Sequence, residues 1–304
     1  MKLLGANATL ALLPYSELAD ELHAMLVAQQ RGEVSAPPRT ILELPGGGTL
    51  LIMPATSAAL TSIKIVTVHT TNAALELPSV QADVLALDTA TGRRLLLLDG
   101  GLVTARRTAA LSLLAARMLA PRPDGPLLIV GAGTQGQAHL EAFAEGLGVR
   151  EVYVASRTAA HAKALAEQAR ARGLDATALA DPGAALDRVT LIVTATTSAT
   201  PVLPATVRED AFIAAVGAFR PDMAELPPAL VRRARLYVDT LTGAQAEAGD
   251  LIQAGIDWQQ VTPLAADVPR PASGPVIFKS VGHALWDLAA VWLAHRRLHD
   301  TQER

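Results

Sequence analysis

Cysteine is absent from the 304 residues. That excludes disulfides, thiolate metal sites and a cysteine nucleophile. Lysine is scarce, occurring only at positions 2, 64, 163 and 279, and arginine carries most of the basic charge. No apolar run approaches the ~18 residues that a membrane span requires. A surplus of one charge sign is also lacking: the formal net charge of −3 gives no case for nucleic acid or an anionic membrane as partner. Met1-Lys2-Leu3-Leu4 runs into Gly5, Asn7, Thr9 and Pro14 without a cleavable signal pattern, so a cytoplasmic location is expected. The seven histidines read as scattered, and no metal site is expected. Repeats and low-complexity tails are not apparent either.

What is there is a chain that is 50% apolar, enough for a large core and long enough for two domains. Its most informative stretch is Leu127-Leu128-Ile129-Val130-Gly131-Ala132-Gly133-Thr134-Gln135-Gly136. The apolar run suits a strand buried on both faces and passes into GxGxxG and a helix-compatible segment. Gly131 permits the tight turn, Gly133 lets the backbone approach a pyrophosphate, and Gly136 allows close helix-strand packing. The helix that follows would offer free N–H groups and its positive dipole end to phosphates. A second strand-like run, Glu151 to Ser156, begins where a βαβ unit needs it. At its end, where an NAD-binding fold places an acid on the ribose, the chain has Ser156-Arg157-Thr158. Arg157 can pair with a 2′-phosphate and the two hydroxyls can donate to it. NADPH is therefore expected as cofactor, with NADH the weaker alternative.

Residues 1 to about 120 mix a helical stretch, Tyr15 to Gln30, with strand-like runs at Arg39 to Leu44, Thr49 to Pro54, Ser62 to Thr70, Val80 to Asp88 and Arg94 to Leu98. Asp99-Gly100-Gly101 leads into a helical pattern from about Thr104 to Leu119, and Pro121 to Pro126 reads as a linker. After it, a helix over Ala159 to Arg172 and further buried runs at Thr190 to Thr194, Phe212 to Val216 and Leu236 to Val238 continue the alternation. The expected fold is α/β: a Rossmann-type, doubly wound, mainly parallel sheet over 121–279, with an α+β domain over 1–120. A last apolar helix, from about Ser280 to Arg297 within 280–304, should pack on the first domain or on a second subunit. Segment 240–275 is less readable.

Clefts at domain interfaces and strand carboxyl ends are where small ligands of such folds bind. Three cations are candidates for holding an anionic substrate: Arg39 after Pro37-Pro38, Lys64 in Ser62-Ile63-Lys64-Ile65-Val66-Thr67, and Arg107 in Thr104 to Ala110. Lys64 alternates with apolar residues, so its ammonium needs an anion or a cavity, unless it snorkels at a sheet edge. His69 and His139 are more simply structural or packing residues.

Several long stretches, in the right order, carry a resemblance that covers nearly the whole chain. They are Pro38-Arg39-Thr40, KIVTVHTTN from Lys64, LLLLDGGLVTARRTAA from Leu95, GAGTQGQAH from Gly131, TATTSATPVL from Thr194, AAVGAFRPDMAEL from Ala214 and FKSVGHALWDLA from Phe278. On these the chain resembles the ornithine cyclodeaminase and mu-crystallin family. The resemblance implies a homodimer, with a split substrate and dimerisation domain around a Rossmann domain. It implies that Arg39, Lys64 and Arg107 hold the substrate carboxylate. It implies cofactor contacts at Gly131, Gly133, Thr134, Gln135, Gly136, Ser156, Arg157, Thr158, Thr196 and Ser280. Glu247 aligns with an acid that faces the ligand in the mu-crystallin branch, and is a candidate proton source.

One position separates the family's activities. Cyclodeaminases carry an Asp after the Val-Gly-Ala segment, whereas this chain has Phe219. Phe219 cannot accept a proton or pair with an ammonium, and would line the substrate ring as an apolar wall. The following Arg-Pro-Asp is similar to the ketimine-reductase branch, which reduces cyclic imino acids with NADPH. The expected reaction is reduction of Δ1-pyrroline-2-carboxylate or Δ1-piperideine-2-carboxylate to proline or pipecolate, of L configuration, in proline metabolism or lysine degradation. The alternatives are a cyclodeaminase or amino-acid dehydrogenase, and an NADPH-gated small-molecule binding protein.

Overall fold

In the computed structural model, which describes residues 1–300, the elements follow in chain order. They are β1 (Lys2–Leu4), α1 (Ala6–Leu12), α2 (Tyr15–Gln30), β2 (Val34–Ser35), β3 (Thr40–Leu44), β4 (Gly48–Ser57), β5 (Leu60–His69), β6 (Val80–Asp88), β7 (Arg94–Asp99) and α3 (Gly100–Leu119). There follow β8 (Leu127–Val130), α4 (Thr134–Leu147), β9 (Glu151–Ala155), α5 (Ala159–Ala171), β10 (Asp175–Leu179), β11 (Leu191–Thr194), β12 (Phe212–Ala215) and α6 (Pro228–Arg233). The chain ends with β13 (Arg235–Val238), α7 (Leu241–Glu247), α8 (Gly249–Ala254), β14 (Val261–Pro263), β15 (Val276–Lys279) and α9 (Ala284–Asp300). The final residues of the expected 280–304 helix, 301–304, lie outside the described residues.

Two compact units form, Met1–Arg107 with the segment from His283 onward, and Thr108–Gly282. The dividing point falls inside α3, upstream of the Pro121 to Pro126 stretch expected as the linker, because the C-terminal half of α3 packs with the second unit. Ser112 Oγ, for instance, lies 2.9 Å from His139 Nε2.

The sheet of the first unit has the order β1-β7-β6-β5-β4-β2, with β3 also paired to β4. Its pairs are antiparallel apart from β1 on β7. Period-two patterning sets its faces: Leu60, Ser62, Lys64 and Val66 of β5 are buried, while Ile63 is only half-buried and Ile65 is exposed. α9 packs along α2 and onto β4 and β5. It thereby joins the first unit, as one of the two sequence alternatives has it. Its start differs from expectation. The helix begins at Ala284, because Gly282 takes a left-handed φ of +87° and the Ser280 to Gly282 segment is bonded to Asp239 instead.

The second unit is an eight-stranded sheet in the order β10-β9-β8-β11-β12-β15-β13-β14, with every pairing parallel. Continuous apolar strands explain this: β8, β11, β12 and β15 are buried along their whole length, as a sheet covered on both faces requires. β8, α4 and β9 form the expected βαβ unit.

Candidate active site

The buried face of β5 brings one charge into an apolar layer. Lys64 pairs across the ladder with Met53 and Val84, both buried, and is itself only 2% exposed. Its counter-ion comes from α9: Asp287, fully buried, has Oδ2 2.9 Å and Oδ1 3.1 Å from Lys64 Nζ. Arg107, also buried, donates from Nε to Asp287 Oδ1 at 3.2 Å. Thr104 lies three residues before Arg107 on the same face of α3, with Oγ1 3.5 Å from the ammonium. Asp287 stands in the first turn of α9, where the helix dipole favours a carboxylate.

Two buried cations thus share one carboxylate, leaving a surplus positive charge that an anion could neutralise. The electrostatics are tuned accordingly. Burial pulls the Lys64 pKa down from 10.5 to about 8; Asp287 opposes the fall, and Arg107 and then Arg39 add to it. Arg39 is half-buried, just before β3, so its charge reaches the same cluster. Sequence patterning singled out Lys64 and Arg107 but not Asp287. Its signal was a lone acid in the apolar run Ala284 to Ala290.

In the second unit the glycine-rich turn has the shape a dinucleotide needs. Gly131 takes φ +109°, and a Cβ there would meet the Ala195 carbonyl; one on Gly136 would collide with the Gly131 carbonyl. Gly133, by contrast, would point a Cβ into open space. It caps α4, whose first N–H groups have no carbonyl partner within the helix. The Gln135 side-chain oxygen is buried without a hydrogen-bond partner. An open approach and helix N–H groups without intrahelical partners fit a phosphate-bearing cofactor at Gly133, Thr134, Gln135 and Gly136.

Ser156 is half-buried after β9, and Arg157 and Thr158 are exposed. Thr158 caps α5 without spending its hydroxyl on the helix. No acid occupies this strand end.

Beyond the cradle, buried carboxylates that sequence reading passed over organise the neighbouring strand ends. Glu225 accepts from the Thr196 N–H at 2.6 Å and the Thr196 hydroxyl at 2.9 Å. It also accepts from the Thr194 hydroxyl at 3.0 Å and the Gly217 N–H at 2.7 Å. Burial raises the Glu225 pKa, with Lys279 opposing. Asp250 accepts from the Glu225 and Leu226 N–H groups and lies 3.0 Å from Lys279 Nζ. Asp239 Oδ2 takes the Ser280 hydroxyl at 2.7 Å and the Gly282 N–H at 2.8 Å.

Known proteins match both units. A profile of the ornithine cyclodeaminase/mu-crystallin family matches residues 3–302. The chain belongs to that family. A Δ1-pyrroline-2-carboxylate reductase of Burkholderia ambifaria is 41% identical over 288 residues, 94% of this chain and 92% of that protein. The mouse ketimine reductase mu-crystallin is 35% identical over 87% of this chain and 85% of its own length. Among solved structures, Thermococcus litoralis Δ1-pyrroline-2-carboxylate reductase, in complex with NADH and L-proline, superposes with a TM-score of 0.91 at 29% identity, covering 99% of this chain and 98% of that one.

The remaining residues singled out in the sequence of this ornithine cyclodeaminase/mu-crystallin family member are placed as follows. Phe219, on the loop after β12, is 45% exposed. Glu247 closes α7 and is half-buried. His69 ends β5, with its ring filling the space beside Gly48. His139 is fully buried: Nδ1 meets the Gln135 carbonyl at 2.7 Å and Nε2 the Ser112 hydroxyl at 2.9 Å. Burial drives its pKa down to about 4, so it is a neutral packing residue. The histidines are not all scattered, however. His295 and His299 lie one turn apart on α9, with Nε2 atoms 3.1 Å apart.

Proposed function

We propose that the chain is a nicotinamide-dependent reductase of cyclic ketimines, converting Δ1-pyrroline-2-carboxylate or Δ1-piperideine-2-carboxylate to L-proline or L-pipecolate. The observation that carries this reading is the Lys64–Asp287–Arg107 cluster, whose surplus positive charge is buried and calls for a small carboxylate. Arg107 and Lys64 bind that carboxylate, with Arg39 adding charge, and so fix the ring in one orientation. The bound cofactor supplies a hydride to the C=N carbon. The ring nitrogen must also carry a proton. The candidates for delivering it are Lys64, whose pKa is lowered to about 8, and Glu247, which the family resemblance suggests. Phe219, where a deaminating enzyme needs an acid, supports reduction over ammonia release and offers an apolar wall to the ring.

NADPH is the proposed cofactor, on the strength of Arg157 with Ser156 and Thr158 at the end of β9. The cradle at Gly131 to Gly136, with Thr196 and Ser280, is proposed to hold the rest of it. A homodimer is proposed through the open face of the first sheet. There Ile63, Leu85 and Leu97 form one cross-strand row of half-buried apolar residues beside the exposed Ile65. An antiparallel sheet facing water is ordinarily polar on that side.

The test is oxidation of NADPH by purified protein with each imine, repeated with NADH and with Arg107→Ala. Turnover that favours NADPH and collapses in the variant supports both reaction and clamp. Saturable cofactor binding with no turnover of either imine would sink the reductase reading.

A further inference from the structure

The strand order says which half of a dinucleotide each loop meets. β8 carries the glycine turn and so receives the pyrophosphate; β9, on one side, carries Ser156 to Thr158 and so receives the adenine ribose. The nicotinamide half must then extend the other way, over the carboxyl ends of β11 and β12. No charged side chain emerges from those ends themselves: the chain there reads Thr194-Ala195-Thr196 and Ala215-Val216-Gly217.

What fixes both loops is one carboxylate from a third segment. Glu225 is fully buried and receives four donors, two from Thr196, one from Thr194 and one from Gly217. Its own N–H is held by Asp250, which in turn meets Lys279 at the end of β15. Three adjacent strands, β11, β12 and β15, are thereby tied at their carboxyl ends through Glu225, Asp250 and Lys279. All four groups around Glu225 are used here as donors, and two are backbone N–H groups that cannot reverse role. Only an acceptor on both carboxyl oxygens satisfies them.

We infer that Glu225 is a positioning residue for the nicotinamide half of the cofactor, acting through Thr196 and Gly217 without touching the cofactor itself. This rests on the reading of the second unit as the cofactor's seat. Replacing Glu225 by Gln keeps size and shape but turns one acceptor into a donor facing an N–H or hydroxyl. At least one loop must then move, and the adenine side, on β9, has no reason to.

The experiment measures binding of NADPH and of adenosine 2′,5′-bisphosphate, which reports the adenine half alone, to the full-length wild type and Glu225→Gln. The expected result is about a 10-fold or greater weakening of NADPH, from loss of a charge-assisted acceptor, with binding of the fragment unchanged. Equal weakening of both ligands, or no weakening of either, would overturn the inference. Should Glu225→Gln fail to fold, Thr194→Val removes a single donor to the same carboxylate, and the same split is expected at roughly 3-fold. A wild type that binds the fragment but not NADPH would overturn the cofactor reading and the inference with it. A variant defect confined to NADPH sustains both.

Discussion

Asp287 Oδ2 sits 2.9 Å from Lys64 Nζ, although 223 positions separate the two residues in the chain. The same carboxylate takes Nε of Arg107, so removing its charge strands two buried cations at once. Asp287→Asn is expected to lose about 3–5 kcal/mol of folding stability, the usual result of breaking a buried pair from one side. Urea unfolding of the variant beside the wild type measures it, and a loss under 1 kcal/mol would mean the cluster is compensated by other groups.

Substrate binding should follow the Lys64 proton. Below its pKa of about 8 the cluster of Lys64, Arg107 and Asp287 carries one net positive charge; above it, none. Affinity for a carboxylate should therefore be full on the acid side and weaken as pH rises through about 8. L-proline, whose carboxylate stays ionised throughout, is the ligand for the test. Its inhibition constant should climb above pH 8 in the wild type and stay high and flat in Lys64→Met.

Cofactor choice should turn on Arg157. A charge-assisted pair with a 2′-phosphate contributes about 1.5–3 kcal/mol, so Arg157→Ala should raise the KM for NADPH about 10- to 100-fold and leave that for NADH unchanged. Equal KM values for NADPH in wild type and variant would show that this strand end does not read the phosphate.

His139 predicts a loss of stability in acid. Its folded pKa is lowered from 6.5 to about 4, so between these values the unfolded chain binds a proton that the folded one refuses. Stability from this residue is present above pH 6.5 and is lost as pH falls toward 4, by about 3 kcal/mol in all. Thermal melts across that window should fall more steeply for wild type than for His139→Gln, which cannot titrate.

The open sheet face makes a prediction about assembly. Ile65 is 46% exposed beside the row of Ile63, Leu85 and Leu97. If the proposed dimer forms through this face, Ile65→Glu should convert it to monomer in light scattering, while the single-chain fold, read by circular dichroism, is kept.

Much of this architecture could be read from the residues, and most of the missed strands share a cause. Long segments with a clear period emerged with their observed limits: α2 as Tyr15–Gln30 and β6 as Val80–Asp88. The strands passed over, β1, β2, β10 and β14, all lie at sheet edges, where short, half-polar segments bury too little to show a pattern. β15 (Val276–Lys279) is central but follows the Pro- and Gly-containing stretch 269–275 and ends on a charged lysine, which masks its apolar run. The start of α3 was hidden by Gly100 and Gly101, poor helix formers, whereas the structure begins the helix there with the Asp99 carboxylate accepting the Leu102 N–H. The site shows the same division. Lys64 was conspicuous because a charge interrupted an alternating apolar strand. Asp287 and Glu225 were not, because their meaning depends on partners that only the fold supplies.

α9 completes the first unit although it is made after the whole of the second. Lys64 and Arg107 leave the ribosome well before Asp287, with the whole of residues 108–282 translated in between. Domains generally fold as units during synthesis, so the second unit, a contiguous stretch, can close first while the earlier strands wait. Until the C-terminal helix emerges, those two cations have no carboxylate from it to share. A chain halted before position 287 would carry Lys64 and Arg107 without the carboxylate that both share in the finished fold.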